Sequence, residues 1–252
     1  MIDQRVLYLT SKRIIQFTQL GKFGRFGNQI FQYIFARAYA EKYNAELELP
    51  HWIGEKIFKN VSHKQPSVKL PTTQVDVVKF GDVNIDLLGY FQKKEFIDIL
   101  SKKKIMEWLQ FQDRWIGPGN NITTKIVAHL RRGDYVTLYP NVFCIVSKDS
   151  YFKACNKFNI KKENIIWVSE ENQLYYSYLE SDLQFMPDFN LMKNSNILLR
   201  SNSTFGFWAG FFNKNKVYSP VVGGLKGMND VDFVEGNFSS IVDVNRDFIF
   251  KE

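Results

Sequence analysis

Cysteine is scarce in this chain: Cys144 and Cys155 are the only two among 252 residues. That excludes a disulfide framework and a four-ligand zinc site. No apolar run reaches the length of about 18 residues that a membrane-spanning helix needs. Met1 to Gln16 lacks the apolar core of a signal peptide. The expectation is a soluble, cytoplasmic chain with at most peripheral membrane contact through its lysine-rich faces. No H-E-x-x-H, G-x-S-x-G or P-loop pattern occurs, which sets aside zincins, serine hydrolases and P-loop nucleotidases. No basic block is interleaved with aromatic residues, so nucleic acid is not an expected partner.

What is present is aromatic and basic. There are 23 Phe and 12 Tyr, and the formal net charge is +7. Most of the rings belong to a core, although sugar-binding clefts also use exposed rings. The charge points to an anionic partner such as a nucleotide diphosphate.

The patterning is that of an α/β protein. Arg13–Phe17 reads as a strand and Asn28 to Asn44 as a helix whose Ile30, Phe31, Ile34, Phe35 and Ala38 form one apolar face. Ala45–Leu49 alternates like a half-buried strand. His51 to Gln74 reads as irregular, Val83–Tyr90 as a strand, and Gln92 to Leu109 as leading into a helix. Ile116–Asn121 carries the strongest linker signal, which divides the chain into 1–117 and 118–252. The second half repeats the grammar: strands at 125–128, 164–168 and 196–199, helices at 151–158 and after Thr204, and a strand at 217–220 closing the sheet. Two Rossmann-like domains are therefore expected.

In open α/β sheets ligands sit outside the carboxyl ends of the strands. Two motifs fall there. Gly21, Gly24 and Gly27 permit a tight turn into a helix whose amides face an anion, and Arg25 and Asn28 are residues a purely structural turn does not need. Glu46 and Glu48 follow about 20 residues on, where dinucleotide enzymes keep a ribose-binding acid, so a dehydrogenase stays open. The second motif is His129-Leu130-Arg131-Arg132-Gly133-Asp134-Tyr135. A guanidinium matches a diphosphate bidentately, and alternation lets one arginine meet ligand while the other pairs with a carboxylate. Asp134 is expected to position Arg132 or to act as a base. Ser203 and Thr204 begin a helix, where a cap or a phosphate site are both open. Asp188 reads as a loop acid or a base-reading carboxylate. Asp230 and Asp232 leave a metal-dependent transferase open.

Gly24–Gln29 with Phe31-Gln32-Tyr33, Gly89-Tyr90-Phe91-Gln92, His129–Tyr135, Leu191-Met192, and Asn202–Phe205 with Trp208-Ala209 occur in this order. Together they resemble the α-1,2-fucosyltransferases of glycosyltransferase family 11. Protein O-fucosyltransferases share only the Gly-Arg-Phe-Gly-Asn-Gln and His-Leu-Arg elements. The resemblance implies a GT-B fold, two Rossmann-like domains facing each other across a cleft. It implies an inverting, metal-independent enzyme that takes GDP-fucose as donor and a glycan as acceptor and needs no cofactor. By the same resemblance Arg131 binds the β-phosphate and neutralises the leaving diphosphate, His129 and Asp188 hold guanosine, and Ser203 and Thr204 bind phosphate beside Phe205. Asn28, with Arg25 and Gly27, lines the catalytic cleft, and Asp134 joins Arg131 and Asn28 as a catalytic candidate. Where the family usually shows Ser-Asp-Asp, this chain has Ser169-Glu170-Glu171. Another nucleotide-deoxysugar donor and a non-catalytic nucleotide binder remain the alternatives.

Overall fold

The computed structural model describes residues 13–74, 84–92, 96, 100–116 and 125–237. The chain divides into two compact units, Met1–Gln110 and Phe111–Glu252. The division falls ahead of the expected break at Gly117, and the glycine-rich stretch 117–121 lies outside the described residues.

In the first unit, β1 (Ile14–Gln16) leads through the glycine turn to α1 (Phe26–Lys42) and back to β2 (Glu46–Glu48) beside β1. β3 (Thr72–Gln74) and β4 (Ile85–Leu88) complete a four-stranded sheet of order β2-β1-β4-β3, parallel throughout. The segment expected to be irregular thus contains β3 and a 3₁₀ turn at Ile53–Lys56. Thr-Thr-Gln is too short and polar to read as a strand, and only its pairing with β4 makes it one.

α1 departs from the expected single apolar face. It is buried on nearly every side from Phe26 to Ala40. Tyr33 stacks on Trp52 at 4.9 Å, while Phe35 stacks on Phe91 at 4.0 Å and meets Phe96 edge-on. Aromatic residues from loops thereby cover flanks that periodicity alone would leave wet. α2 (Lys102–Trp108) is the last described helix of this unit, capped by Ser101 accepting from the Lys104 amide.

The second unit begins its sheet with β5 (Ile126–Leu130). There follow α3 (Asp134–Thr137), β6 (Cys144–Val146), α4 (Lys148–Lys157), β7 (Ile165–Ser169), α5 (Met186–Lys193), β8 (Ile197–Leu199), α6 (Thr204–Phe212) and β9 (Lys216–Pro220). β10 (Gly227–Asn229) pairs with β6, and β11 (Phe233–Glu235) pairs antiparallel with β9. The main sheet has the order β11-β9-β8-β5-β7, so β11, not β9, is its outer strand. The core gathers Ala128, Leu130, Val146, Tyr151, Leu199, Tyr218 and Phe233. α6 is buried from Gly206 to Phe212 because nearly every residue in it is aromatic or small.

Both sheets reverse their strand order once. From β1 the chain passes to β2 on one side and later to β4 on the other. From β5 it passes to β7 on one side and then to β8 on the other. Such a switch point opens a crevice at the carboxyl ends of the two strands, where ligands of open α/β sheets bind.

Candidate functional site

At the β5/β8 switch point the two strand ends are joined by side chains. His129 Nδ1 lies 2.9 Å from Ser201 Oγ, which lies 2.9 Å from Ser203 Oγ. Ser203 caps α6, its hydroxyl accepting from the Gly206 amide at 3.0 Å. Tyr151 donates its hydroxyl hydrogen to the His129 carbonyl at 2.6 Å. His129 is buried, and burial, with the Arg200 and Arg132 charges nearby, lowers its pKa from 6.5 to about 3. The imidazole is therefore neutral at pH 7 and acts as a fixed hydrogen-bonding group. A Cβ on Gly206 would come within 3.1 Å of His129 Nδ1, so glycine eases the close approach of α6 to the histidine.

Sequence reasoning missed the residue that underlies this network. Arg200 is fully buried and donates from Nε to Ser219 Oγ at 2.9 Å and from Nη1 to the Ser201 carbonyl at 2.8 Å. Among the described residues no carboxylate forms an ion pair with it, and burial lowers its pKa to about 9. The signal was legible: a cation directly ending the apolar run Ile197-Leu198-Leu199.

Arg131 follows β5. Its guanidinium is bracketed by Asp134 and Glu170, one on each Nη, and lies 4.7 Å from the Tyr135 ring centre. Arg131 is 11% exposed and the two carboxylates 29% each, so the triad sits at the rim and not in the core. Arg131 Nε is buried with no hydrogen-bond partner. Two expectations change here. Asp134 does not position Arg132, which donates instead to the Arg131 and Val146 carbonyls at 3.1 and 3.0 Å. Asp134 pairs with Arg131, because the helical turn of α3 returns its carboxylate toward the residue three positions back. The geometry gives the Asp134 carboxylate an orienting role on the Arg131 guanidinium. Glu170 was passed over, although an acidic pair at the end of β7 was its signal. Its second oxygen accepts from the Arg132 amide at 3.2 Å, which fixes the turn through Gly133.

Asp188 lies on α5, in the first turn after Phe185, and not in a loop. Pro187 suits the first turn of a helix, although from sequence it also reads as a turn signal. Burial raises the Asp188 carboxyl from 3.8 to about 6. Phe185 and Phe189 flank Phe205 at 5.9 and 5.3 Å, and Phe205 lies 5.5 Å from His129. The second unit thus brings His129, Ser203, Thr204 and Phe205 to one end of β5 and β8, with Arg131 on the adjoining turn and Asp188 on the helix whose Phe185 and Phe189 meet Phe205. Asp230 and Asp232 are elsewhere in role: each answers a lysine of α4, Lys153 and Lys157, at 2.6 Å on the surface.

The first unit holds Arg25, Gly27 and Asn28 at its own switch point. Arg25 is exposed at the start of α1, and Gly27 is buried inside the helix. Gln92 donates to Asn28 Oδ1 at 3.0 Å, which joins the β1 and β4 loops. Gln29 and Gln32 grip the turn by donating to the Gly24 and Phe23 carbonyls at 3.0 and 2.7 Å. Asp86 accepts from the Thr18 amide and hydroxyl at 2.9 and 2.6 Å. Glu48 is no ribose acid: it is fully buried under Gln16, Ser67 and Lys64. Burial alone would raise its pKa, yet those donors hold it at about 2. Glu48 therefore drops out as the acid of a dehydrogenase reading.

Comparison with known proteins agrees with this architecture. Two solved structures share the fold. One is the NodZ alpha-1,6-fucosyltransferase soaked with GDP-fucose, at 11% identity, 90% of this chain, 99% of that chain and a TM-score of 0.53. The other is fucosyltransferase NodZ from Bradyrhizobium, at 10% identity, 90% and 100% coverage and a TM-score of 0.53. No curated protein matches the chain. The model of glycosyl transferase family 11 matches residues 52–220, which include the β5 and β8 ends with His129, Arg131 and Ser203. With more than half of its length matched, the chain belongs to glycosyl transferase family 11.

Proposed function

We propose that the protein is an inverting, metal-independent fucosyltransferase that moves L-fucose from GDP-fucose to a hydroxyl of a glycan, O2 of a galactoside being the family-level expectation. The observation that carries the reading is the β5/β8 switch point. There a guanidinium turn and the hydroxyl-bearing start of α6 share one carboxyl edge, joined through His129 and Ser201. Such an edge suits a nucleoside diphosphate. NodZ, of similar fold, has been soaked with GDP-fucose, and this supports the donor. A GT-B arrangement of the two units and a cytoplasmic location belong to the same proposal.

In this mechanism the acceptor oxygen attacks the anomeric carbon from the face opposite GDP. The bond from that carbon to the β-phosphate oxygen breaks, and its electron pair leaves with the diphosphate. The transition state is oxocarbenium-like, so most stabilisation is needed where negative charge grows. In this reading Arg131 supplies it by turning its guanidinium from one of its two carboxylate partners, Asp134 or Glu170, to the diphosphate. Asp188 and His129 receive guanosine, Phe205 flanks it, and Thr204 with the α6 amides receives phosphate. Arg25, Gly27 and Asn28 shape the acceptor side. The acceptor proton passes to solvent water late, after the new bond has begun to form, so no strong base is required.

A preorganised donor at such a position is worth about 3–4 kcal/mol. Arg131→Ala is therefore expected to lower GDP-fucose turnover by about a hundredfold or more, measured as GDP release with EDTA present. Near-wild-type turnover in the variant removes Arg131 from the mechanism. A thermal-shift panel of nucleotide sugars tests the donor, GDP-fucose being expected to give the largest stabilisation. Activity abolished by EDTA would instead favour a metal-dependent transferase.

A further inference from the structure

We propose that the stacked rings of Phe23 and Tyr90, with the Asn28–Gln92 amide pair beside them, form a pyranose-binding site on the first unit. This rests on the reading of the chain as a glycan-modifying transferase and names the place where its acceptor sugar docks. Phe23 lies in the β1 loop and Tyr90 in the β4 loop. Their ring centres are 4.3 Å apart at 26° between planes, and Tyr90 is 43% exposed. Both loops leave the carboxyl ends of the two strands that flank the switch point, where a ligand belongs.

The backbone around Tyr90 is arranged to present it. Gly89 has φ 155 and Phe91 φ 51, so a non-glycine residue occupies the left-handed region. Such a conformation persists only where packing enforces it. Here the Phe91 ring enforces it, stacked on Phe35 and edge-on to Phe17 and Phe96. With Phe91 drawn inward, its neighbour is turned out over the glycine loop. That loop is immobilised in turn, since Gln32 and Gln29 hold the carbonyls of Phe23 and Gly24. Two aromatic residues on a partly exposed surface are therefore preorganised, and docking need order little of the protein.

The chemistry selects the occupant. An aromatic face accepts the axial C–H groups of a pyranose ring. The neighbouring amides of Asn28 and Gln92, 3.0 Å apart, are neutral groups suited to hydroxyls. The second unit offers the contrasting set, guanidinium and helix amides, which suits diphosphate.

The test is saturation-transfer NMR on the full chain with methyl β-galactopyranoside, lactose and methyl α-glucopyranoside. At least one is expected to receive saturation. That signal should fall fivefold or more in Tyr90→Leu, which keeps bulk but no ring face, and persist in Tyr90→Trp. Absence of signal from all three sugars, or equal signal in Tyr90→Leu, overturns the site. So does a GDP signal that vanishes in Tyr90→Leu, because the rings would then serve the nucleotide. GDP thermal shift is read separately. Pyranoside binding without a GDP shift keeps this site and sinks the donor reading, while a GDP shift without pyranoside binding does the reverse.

Discussion

At the scale of single residues, burial decides which charges the protein tolerates at which pH. His129 has its pKa lowered from 6.5 to about 3, so the unfolded chain takes up a proton that the folded chain refuses. Stability is therefore undiminished above pH 6.5 and declines as pH falls from there toward 3. At pH 5 the loss from this residue is roughly 2 kcal/mol. Urea unfolding at pH 7 and pH 5 should show that loss in the native chain and a smaller one in His129→Gln, which retains a hydrogen-bonding side chain without the titration. An equal loss in both would mean that the imidazole is not enclosed as described. His63, lowered to about 4 by burial, acts in the same direction in the first unit and should be untouched by the substitution. Glu48 and Arg131 show the limit of reading residues from sequence. The sequence places an acid about 20 residues past the glycine turn and a cation at a strand end. It cannot show that Gln16, Ser67 and Lys64 enclose the first, or that Glu170 from another strand meets the second.

At the scale of elements, the glycine turn and α1 act together. Gly24 has φ 88, and a Cβ there would lie 2.3 Å from Asn28 Nδ2. Gly24→Ala should cost about 1–2 kcal/mol from backbone conformation alone and lower the melting temperature by several degrees. It should also displace Asn28 and reduce transfer to a glycan. A variant with native melting and native transfer would show that the turn tolerates a side chain. Elements built from contiguous apolar runs, such as β5, β7 and β8, were legible because their partners only had to cover what the pattern already announced. β3, β6 and β10 were not, since each exists through pairing with a distant segment. α5 was missed because Pro187 and Asp188 suggest a turn until the aromatic side of the helix finds Phe205.

At the scale of the whole molecule, two units with separate sheets suggest two unfolding events. Calorimetry should resolve two transitions, and GDP at a hundredfold excess over its dissociation constant should stabilise one of them by about 2.7 kcal/mol while leaving the other in place. A single transition, or equal movement of both, would contradict the assignment of the nucleotide to the second unit. The α/β class was visible in the repeated strand–helix alternation. One consequence of the enclosed Arg200 reaches beyond function. A cation surrounded by neutral acceptors biases which neighbouring replacements a lineage can survive. An acid arriving beside Ser201 or Ser219 would be welcomed where most interiors reject one, and a second base would be refused.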